Sequence, residues 1–325
     1  MRILVTGGAG FVGSHMCDHI LKNTDWDIVV LDRLNYASAG FDRLRDSNVF
    51  DDNRVSVLAA DFTKPIVAGL AQEIGLVDYI LHMGAETHVD RSIANPEAFV
   101  MANVVGTMHV LNFARTLPGL KWMVFFSTDE VFGPAPQGTF YKEWDRYDSG
   151  NPYSATKAGA EELCLAYANT YGVPLLVTHC MNIVGQRQHK EKLCPLVMRK
   201  VLAGETLSIH ADATRTISGS RCWIHARNVA DAVLFLLDRG EQREKYNIVG
   251  EEMSNLEIAQ FIAGVIGKPL KYEMVSFHAT RPGHDLRYAL DGTKMKEMGW
   301  EAPQSLRESL KQTVLWTLEN QRWLT

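Results

Sequence analysis

Short apolar runs alternate with helical patterns along the first half of the chain. The runs that predict strands are residues 3–5, 28–31, 55–58, 79–81, 122–126 and 175–177. A strand that is apolar along its whole length is buried on both faces of a sheet. Helices between such strands make βαβ units, whose right-handed crossovers build one parallel sheet with helices on both sides. The pattern therefore predicts an α/β fold with a doubly wound parallel sheet.

The regular alternation ends near Asn182. Beyond it, irregular stretches rich in Pro, Gly, His and Arg separate helical patterns at residues 229–237, 255–266 and 306–318. We expect two domains, residues 1–181 and a smaller α/β domain of residues 182–325. Part of the second domain, about residues 223–250, is predicted to return to the main sheet, because a strand-like segment at 245–249 follows the first of these helices.

Composition is that of an ordinary globular protein. The chain has 325 residues, of which 46% are hydrophobic and 22% charged, and its net charge is -5. A protein that binds nucleic acid or an anionic membrane needs a basic face, so neither is an expected partner. No apolar run approaches the ~20 residues of a membrane helix, and the first strand begins too early to leave room for a secretory leader. These observations favour a cytoplasmic protein.

The cysteines and histidines do not form a metal-binding pattern. The cysteines are widely spaced, odd in number and without a CxxC pair. We expect buried free thiols at Cys17, Cys164, Cys180, Cys194 and Cys222. Because His82, His88 and Asp90 do not complete a ligand set, no metal site is predicted.

A glycine-rich segment, TGGAGFVG at residues 6–13, lies between the first strand and the first helix. Glycines there allow a tight turn and let backbone N–H groups approach a pyrophosphate. The spacing fits both GxGxxG and GxxGxxG. Asp32 ends the next strand, where a carboxylate hydrogen-bonds a ribose 2′-hydroxyl and repels a 2′-phosphate. The sequence therefore favours NAD over NADP as cofactor, although Arg33 follows Asp32.

A tyrosine and a lysine lie four residues apart at the start of a predicted helix. Asn151 and Pro152 open the helical pattern, and Tyr153 and Lys157 then share one face. A nearby ammonium and a positive nicotinamide ring both favour the phenolate. We therefore expect the pKa of Tyr153 to lie well below its free value of about 10, so that it can take a hydroxyl proton.

Two adjacent acids follow the apolar run at residues 122–126. The segment is Ser127, Thr128, Asp129 and Glu130. Adjacent carboxyl groups repel each other and are costly to bury together, so packing does not explain them. Each disfavours ionisation of the other, which lets one remain protonated near neutral pH. We expect a catalytic acid and base at the end of this strand.

Several segments together resemble one family. They are residues 6–13, His82 with 84–93, 127–133, 151–158, 191–193 with Pro195, and 281–288. In these the chain is similar to the extended short-chain dehydrogenase/reductases and, within them, to nucleotide-sugar 4,6-dehydratases of the dTDP-glucose type. TDEVFG at 128–133 and RPGHDLRY at 281–288 are the specific segments. The resemblance spans most of the chain and implies an NAD-binding Rossmann domain followed by a smaller domain that binds a nucleoside-diphosphate sugar.

The resemblance also implies a reaction, in which C4 of an NDP-glucose is oxidised by NAD, water is lost across C5 and C6, and the hydride returns to C6. Tyr153, assisted by Lys157 and Thr128, removes the 4-hydroxyl proton. Glu130 takes the C5 proton, and Asp129 protonates the departing C6 hydroxyl. Strand alternation puts Asp129 opposite its two neighbours, so the chain must turn there for all three to face one sugar.

Further contacts and an assembly follow from the same resemblance. Those to the cofactor are Gly7, Gly10, Phe11, Val12, Gly13, Asp32, Asn35, Asp61, Phe62, Ala85, Thr87, Tyr153 and Lys157. Those to the nucleotide sugar are His88, Asn182, Glu191, Lys192, Arg221, Arg281 and Tyr288. A homodimer through the helices at residues 95–114 and 152–171 is also implied.

The departures from the family pattern lie in the second half of the chain. Ile183 and Val184 replace an Asn and a Tyr, Gln186 replaces a proline, Cys222 replaces an acid, and the stretch 211–220 is longer. The nucleotide, dTDP or UDP, is therefore left open.

Two other functions share the predicted NAD site. A nucleotide-sugar 4-epimerase or a UDP-glucuronate decarboxylase would use Tyr153 and Lys157 in the same way, but an epimerase has no elimination step and so no need of Asp129 beside Glu130. A catalytically silent NAD-binding protein would have no reason to keep these residues together.

Overall fold

The computed structural model describes residues 1–35, 38–276 and 286–325. The strands in these ranges are β1 (Arg2–Thr6), β2 (Asp27–Asp32), β3 (Val55–Ala59), β4 (Tyr79–His82), β5 (Trp122–Thr128), β6 (Leu175–Cys180), β7 (Asn182–Val184), β8 (Leu207–Ala211), β9 (Ser220–His225), β10 (Lys245–Ile248), β11 (Glu251–Ser254) and β12 (Tyr272–Ser276). Seven of them form one parallel sheet in the order β10-β6-β5-β4-β1-β2-β3. The six strands predicted from the apolar runs, and the doubly wound sheet, are confirmed.

Most of the helices in the described ranges lie between these strands, and the last two follow β12. They are α1 (Phe11–Asn23), α2 (Asp42–Asp46), α3 (Ala68–Ile74), α4 (Val89–Ala94), α5 (Pro96–Phe99), α6 (Gly106–Ala114), α7 (Pro152–Tyr171), α8 (Leu193–Ala203), α9 (Ala226–Arg239), α10 (Asn255–Ile266), α11 (Thr293–Glu297) and α12 (Leu306–Glu319). A π-helical turn, Val100–Val105, joins α5 to α6 without a break. Short 3₁₀ turns lie at Asp129–Phe132 and Gln321–Leu324.

Alternate residues of the central strands face two separate cores, as a sheet covered on both sides requires. Ile3 and Val5 of β1 belong to the core under α1 and α9, which includes Val233. Leu4, between them, belongs to the core under α6 and α7, which includes Val110. Because helices cover both faces, the carboxyl edge of the sheet is left to form a site.

The second half of the chain builds a smaller α/β region. β11, β9 and β7 form one sheet, and β12 pairs in parallel with β8. Helices α8, α10 and α12 pack around a core that includes Met198, Trp223, Ile262 and Leu310. Between β9 and β11 the chain returns to the large sheet, where α9 packs on α1 and β10 pairs with β6. The strand β9 itself stays in the smaller sheet, so the returning segment starts at α9.

A buried ion pair connects β10 to α7. Lys245 Nζ lies 2.9 Å from Glu161 Oε1, and His179 Nε2 lies 3.2 Å from Glu161 Oε2. The Tyr147 hydroxyl donates to the same carboxylate. Because the side chains of Glu161 and Lys245 are only 0% and 4% exposed, each charge depends on these partners in place of water.

All five cysteines are buried and free, as expected. Within the described ranges, no helix combines the length and the apolar character that crossing a membrane requires.

Candidate active site

One cavity of about 390 Å³ lies at the carboxyl edge of the large sheet. Because the strands are parallel, the loops that follow β1, β2, β4, β5 and β6 all meet at this edge. Most of the residues predicted to bind cofactor or sugar line it. They are Gly7, Gly10, Phe11, Val12, Gly13, Asp32, Asn35, Phe62, Ala85, Thr87, His88, Thr128, Asp129, Glu130, Tyr153, Lys157, Asn182, Glu191 and Lys192.

Backbone crowding explains the glycines between β1 and α1. Gly7 has φ +70°, and a Cβ on Gly13 would lie 2.3 Å from the Gly7 carbonyl oxygen. Helix α1 begins at Phe11 with no side-chain cap from Gly10, so the N–H groups of its first turn have no intrahelical partner. Of the two possible spacings, the glycines of GxxGxxG, Gly7, Gly10 and Gly13, line the cavity, whereas Gly8 does not.

Asp32 connects the end of β2 to the glycine-rich segment at residues 6–13, the glycine loop. Its carboxylate accepts hydrogen bonds from the backbone N–H groups of Ala9 at 3.1 Å and Leu34 at 2.8 Å. Burial raises the pKa of Asp32, and these two N–H groups oppose the rise. A glycine backbone with no room for a Cβ, a helix N-terminus and a carboxylate at the next strand end together fit the pyrophosphate and adenosine ribose of a dinucleotide.

The chain turns at Asp129, directly after β5. The Thr128 hydroxyl accepts a hydrogen bond from the Glu130 N–H at 3.3 Å and donates one to Asp129 Oδ1 at 3.0 Å. The 3₁₀ turn interrupts strand alternation, so that Thr128, Asp129 and Glu130 all line the cavity. The turn that the sequence required at Asp129 is confirmed.

Asn151 caps α7 and also binds a catalytic candidate. Its Oδ1 accepts from the Ser154 N–H at 2.9 Å, and its own N–H donates to Ser154 Oγ at 3.3 Å. Its Nδ2 donates to Glu130 Oε2 at 3.2 Å. One side chain therefore orients both the helix that carries Tyr153 and the Glu130 carboxylate. Asn before Pro predicted the helix start, but nothing in the sequence indicated the contact with Glu130.

Burial is the main influence on the protonation of the two acids. It raises the pKa of Glu130 to about 7, and the charge of Asp129 adds to the rise. It also raises the pKa of Asp129, against the charge of Arg221 and the hydrogen bond from Thr128. Asp129 Oδ2 has no hydrogen-bond partner among the described residues. The effect predicted from adjacency is present at Glu130, whose pKa the Asp129 charge raises, but desolvation is the larger cause.

We expected the pKa of Tyr153 to be lowered, but the groups of the protein itself raise it. Burial raises the pKa of Tyr153, the Glu130 charge raises it further, and a hydrogen bond with Thr128 opposes them. Burial lowers the pKa of Lys157 to about 8, and its Nζ lies 4.2 Å from the centroid of the Phe125 ring. Helical spacing put the tyrosine and the lysine on one face, but it did not include the cost of desolvating a phenolate beside a carboxylate.

Comparison with known proteins identifies the family. Residues 4–313 match the family described as GDP-mannose 4,6 dehydratase. The chain belongs to this family.

Curated and solved members agree over the full length. The dTDP-glucose 4,6-dehydratase of Salmonella typhimurium is 36% identical, with 100% of this chain and 94% of that protein covered. The low-salt glycan biosynthesis protein Agl12 of Haloferax volcanii is 38% identical, with 97% of each covered. The crystal structure of dTDP-glucose 4,6-dehydratase DesIV from Streptomyces venezuelae, with NAD bound, is 36% identical and has a TM-score of 0.88 over 100% of both chains.

A more distant structure shares the fold. The UDP-glucose 4-epimerase of Thermus thermophilus, in complex with NAD, is 26% identical and has a TM-score of 0.84 over 97% of this chain and 98% of that one.

Three further predicted residues that the structure describes, Asp61, Arg221 and Tyr288, lie apart from the cavity lining. Asp61 Oδ1 accepts from the Thr63 N–H at 2.9 Å, which closes a local turn. Arg221 stacks on Tyr288, 4.6 Å from the ring centroid, and its charge still acts on both acids. Arg281 lies outside the described residues.

The structure shows the contacts of two residues that depart from the family pattern, Gln186 and Cys222. The backbone carbonyl oxygen of Gln186 contacts His15 Nε2 at 2.9 Å, and the side-chain Oε1 of Gln186 contacts His225 Nε2 at 3.1 Å, so this residue joins two buried rings. Cys222 is buried in an apolar cluster with Phe132. Neither replacement adds a charge to the cavity.

Proposed function

We propose that this protein is an NAD-dependent 4,6-dehydratase that converts dTDP-glucose to its 4-keto-6-deoxy product with loss of water. The observation that carries the proposal is that Thr128, Asp129, Glu130 and Tyr153 line the same cavity as the glycine loop. Hydride transfer at C4 needs the tyrosine and the dinucleotide, whereas a second acid beside Glu130 serves an elimination. The names of the full-length relatives support the same reaction.

Proton transfers by the protein's own residues account for the chemistry. NAD, held by the glycine loop and Asp32, would supply a hydride acceptor for C4 and a hydride donor for C6, so the reaction would have no net redox change. Tyr153, which lines the cavity with Thr128, takes the proton of the 4-hydroxyl. The resulting ketone acidifies the C5–H bond, and Glu130, held by Asn151, takes that proton. Asp129 gives a proton to the C6 hydroxyl, which leaves as water. When the hydride returns to C6, protonated Glu130 gives a proton back to C5, and exchange of the Glu130 proton with solvent makes that hydrogen solvent-derived.

We propose the predicted contacts as the binding site. Residues around the glycine loop and Asp32 hold the cofactor, and His88, Asn182, Glu191 and Lys192 hold the sugar nucleotide. Their common cavity supports this division. Asp61 is proposed as a further cofactor contact, and Arg221, Arg281 and Tyr288 are proposed as further contacts to the nucleotide sugar.

We also propose a cytoplasmic homodimer whose chains each divide at residue 181, with the α9–β10 segment belonging to the first domain. Val100 and Met101, on the helix predicted at the dimer interface, are 44% and 38% exposed, which supports an apolar contact there. Light scattering of the purified protein tests the proposed assembly, and a monomer mass would refute it.

Incubation with dTDP-glucose and UDP-glucose in separate reactions tests the function. Mass spectrometry should detect loss of one water from dTDP-glucose, and a run in D2O should place deuterium in the product at C5. Glu130→Gln is the matched inactive control, since it keeps the shape of the side chain and removes the base.

Other products would decide against the proposal. Unchanged dTDP-glucose refutes the substrate, and turnover of UDP-glucose alone reassigns the nucleotide. Carbon dioxide from UDP-glucuronate, or UDP-galactose from UDP-glucose, would identify a decarboxylase or an epimerase in its place.

A further inference from the structure

Glu86 forms an ion pair with Arg33, the residue after Asp32. Arg33 lines the cavity beside Asp32, whereas Glu86 lies behind the lining and is only 8% exposed. The Asn35 side-chain amide donates to the same Glu86 Oε1 at 2.9 Å. One buried carboxylate therefore holds two side chains of the loop after β2, both of which line the cavity.

Glu86 is itself fixed by the helix behind it. Its N–H donates to Asn103 Oδ1 at 2.8 Å, and its carbonyl oxygen accepts from Asn103 Nδ2 at 3.0 Å. Asn103 lies in the π-helical turn, is 1% exposed, and also donates to Thr156 Oγ1 on α7 at 3.0 Å. Because both backbone groups of Glu86 are bonded to one buried amide, its carboxylate has a defined position beside Arg33.

This arrangement bears on the difference between NAD and NADP. A guanidinium next to the ribose site is the group that receives a 2′-phosphate in NADP enzymes. In this chain Arg33 is at that position, but its charge is paired with Glu86. Arg43 also lines the cavity near Asp32, but it is 1% exposed and its Nε donates to the Arg187 carbonyl oxygen at 2.9 Å.

We infer that Glu86 is a positioning residue for cofactor selection, which acts with Asp32 by holding Arg33 in an ion pair and so denies a 2′-phosphate its cationic partner. The inference rests on the dinucleotide site of the proposed function. Asp32 selects for the 2′-hydroxyl directly, whereas Glu86 acts only through Arg33.

Cofactor exchange without turnover tests the inference. The purified protein is equilibrated with equal concentrations of NAD and NADP, washed and denatured, and the released cofactors are quantified by chromatography. Glu86→Gln should raise the ratio of bound NADP to bound NAD by at least about tenfold, the effect of one charge-assisted hydrogen bond. Arg33→Gln added to Glu86→Gln should return the ratio to that of the parent. Glu73→Gln, an exposed acid on α3, is the control and should leave the ratio unchanged.

A structural role alone would not give this pattern, because a loosened loop would weaken both cofactors and would not be reversed by removing Arg33. If Glu86→Gln fails to fold, Glu86→Asp withdraws the carboxylate by one methylene and should give an intermediate ratio. An unchanged ratio in both variants, or a raised ratio that survives the loss of Arg33, overturns the inference while leaving the dehydratase intact. If the parent retains neither NAD nor NADP, both the proposed function and this inference are overturned.

Discussion

Glu130 has the pKa that a general base needs near neutral pH, and the cause lies mostly outside its own sequence segment. The pair of acids was predicted from adjacency, and the charge of Asp129 does contribute to the raised pKa. Burial contributes more, and the Asn151 amide that holds the carboxylate comes from the start of another helix. A sequence shows which acids are neighbours, but it does not show how much water reaches them.

The pH dependence of turnover follows from that pKa. A base acts only when ionised, so kcat/KM should fall as pH drops below about 7, the value to which burial raises the pKa of Glu130. Glu130→Gln should lower kcat by about 10²- to 10⁴-fold and remove this acidic limb. Initial rates of water loss from dTDP-glucose across pH, for parent and variant, are the measurement. An unchanged limb in the variant would assign it to another group.

At the scale of elements, the strand ends were the most predictable part of the site. Parallel strands deliver the glycine loop, Asp32 and Thr128 to one edge, so apolar runs and the polar residues after them were enough to predict their meeting. The π-helical turn at Val100–Val105 was not predictable, because its apolar pattern is equally compatible with an α-helix.

Gly13→Ala should abolish cofactor retention. The new Cβ would lie 2.3 Å from the Gly7 carbonyl oxygen, a backbone atom that cannot move without opening the loop. Gly69→Ala, in the first turn of α3, is the matched control, since a Cβ there meets nothing within 4 Å. Chromatography of the nucleotide released from each purified protein is the measurement. Equal cofactor content in the two variants would contradict the role given to Gly13.

Glu161→Gln should destabilise the protein by about 3–5 kcal/mol, because it leaves the buried ammonium of Lys245 without its carboxylate. The pKa of Glu161 is lowered in the folded protein by His179 and Lys245, which outweigh burial. This stabilisation is present above the ordinary carboxyl pKa of about 4 and is lost as pH falls, so the difference between parent and variant should shrink in acid.

Urea unfolding at neutral and acidic pH measures that difference. Glu162→Gln, the neighbouring exposed acid, is the control and should change stability by less than about 0.5 kcal/mol. A Glu161→Gln variant as stable as the control at neutral pH would show that the ion pair is not stabilising.

At the scale of the whole molecule, the chain order and the spatial order differ. The return of the α9–β10 segment to the large sheet was predicted from its strand-like and helical patterns, and the start of that return was placed only slightly early, within β9. The pairing of β7, β9 and β11 was not predicted, since β7 and β11 are short and carry no continuous apolar run.

A fragment of residues 1–181 should therefore not fold cooperatively. It lacks α9, whose buried Val229, Val233 and Leu236 cover one face of the sheet, and it leaves β6 as an unpaired edge. A fusion of residues 1–181 to residues 226–250 restores both and should recover a cooperative thermal transition. Circular dichroism on heating compares the two. A cooperative transition in the shorter fragment would show that the returning segment is not needed.

The π-helical turn makes the site depend on the number of residues in one helix. Asn103, within the turn, bonds Glu86. Thr107, two residues after the turn ends, contacts His82 at 2.9 Å. Removing one residue would leave a good α-helix, but it would rotate one of these contacts by about 100° relative to the other. A single-residue deletion in this helix would thus break the site without breaking the fold. In a relative, a one-residue gap at this helix would therefore indicate a lost site as clearly as the loss of a catalytic residue would.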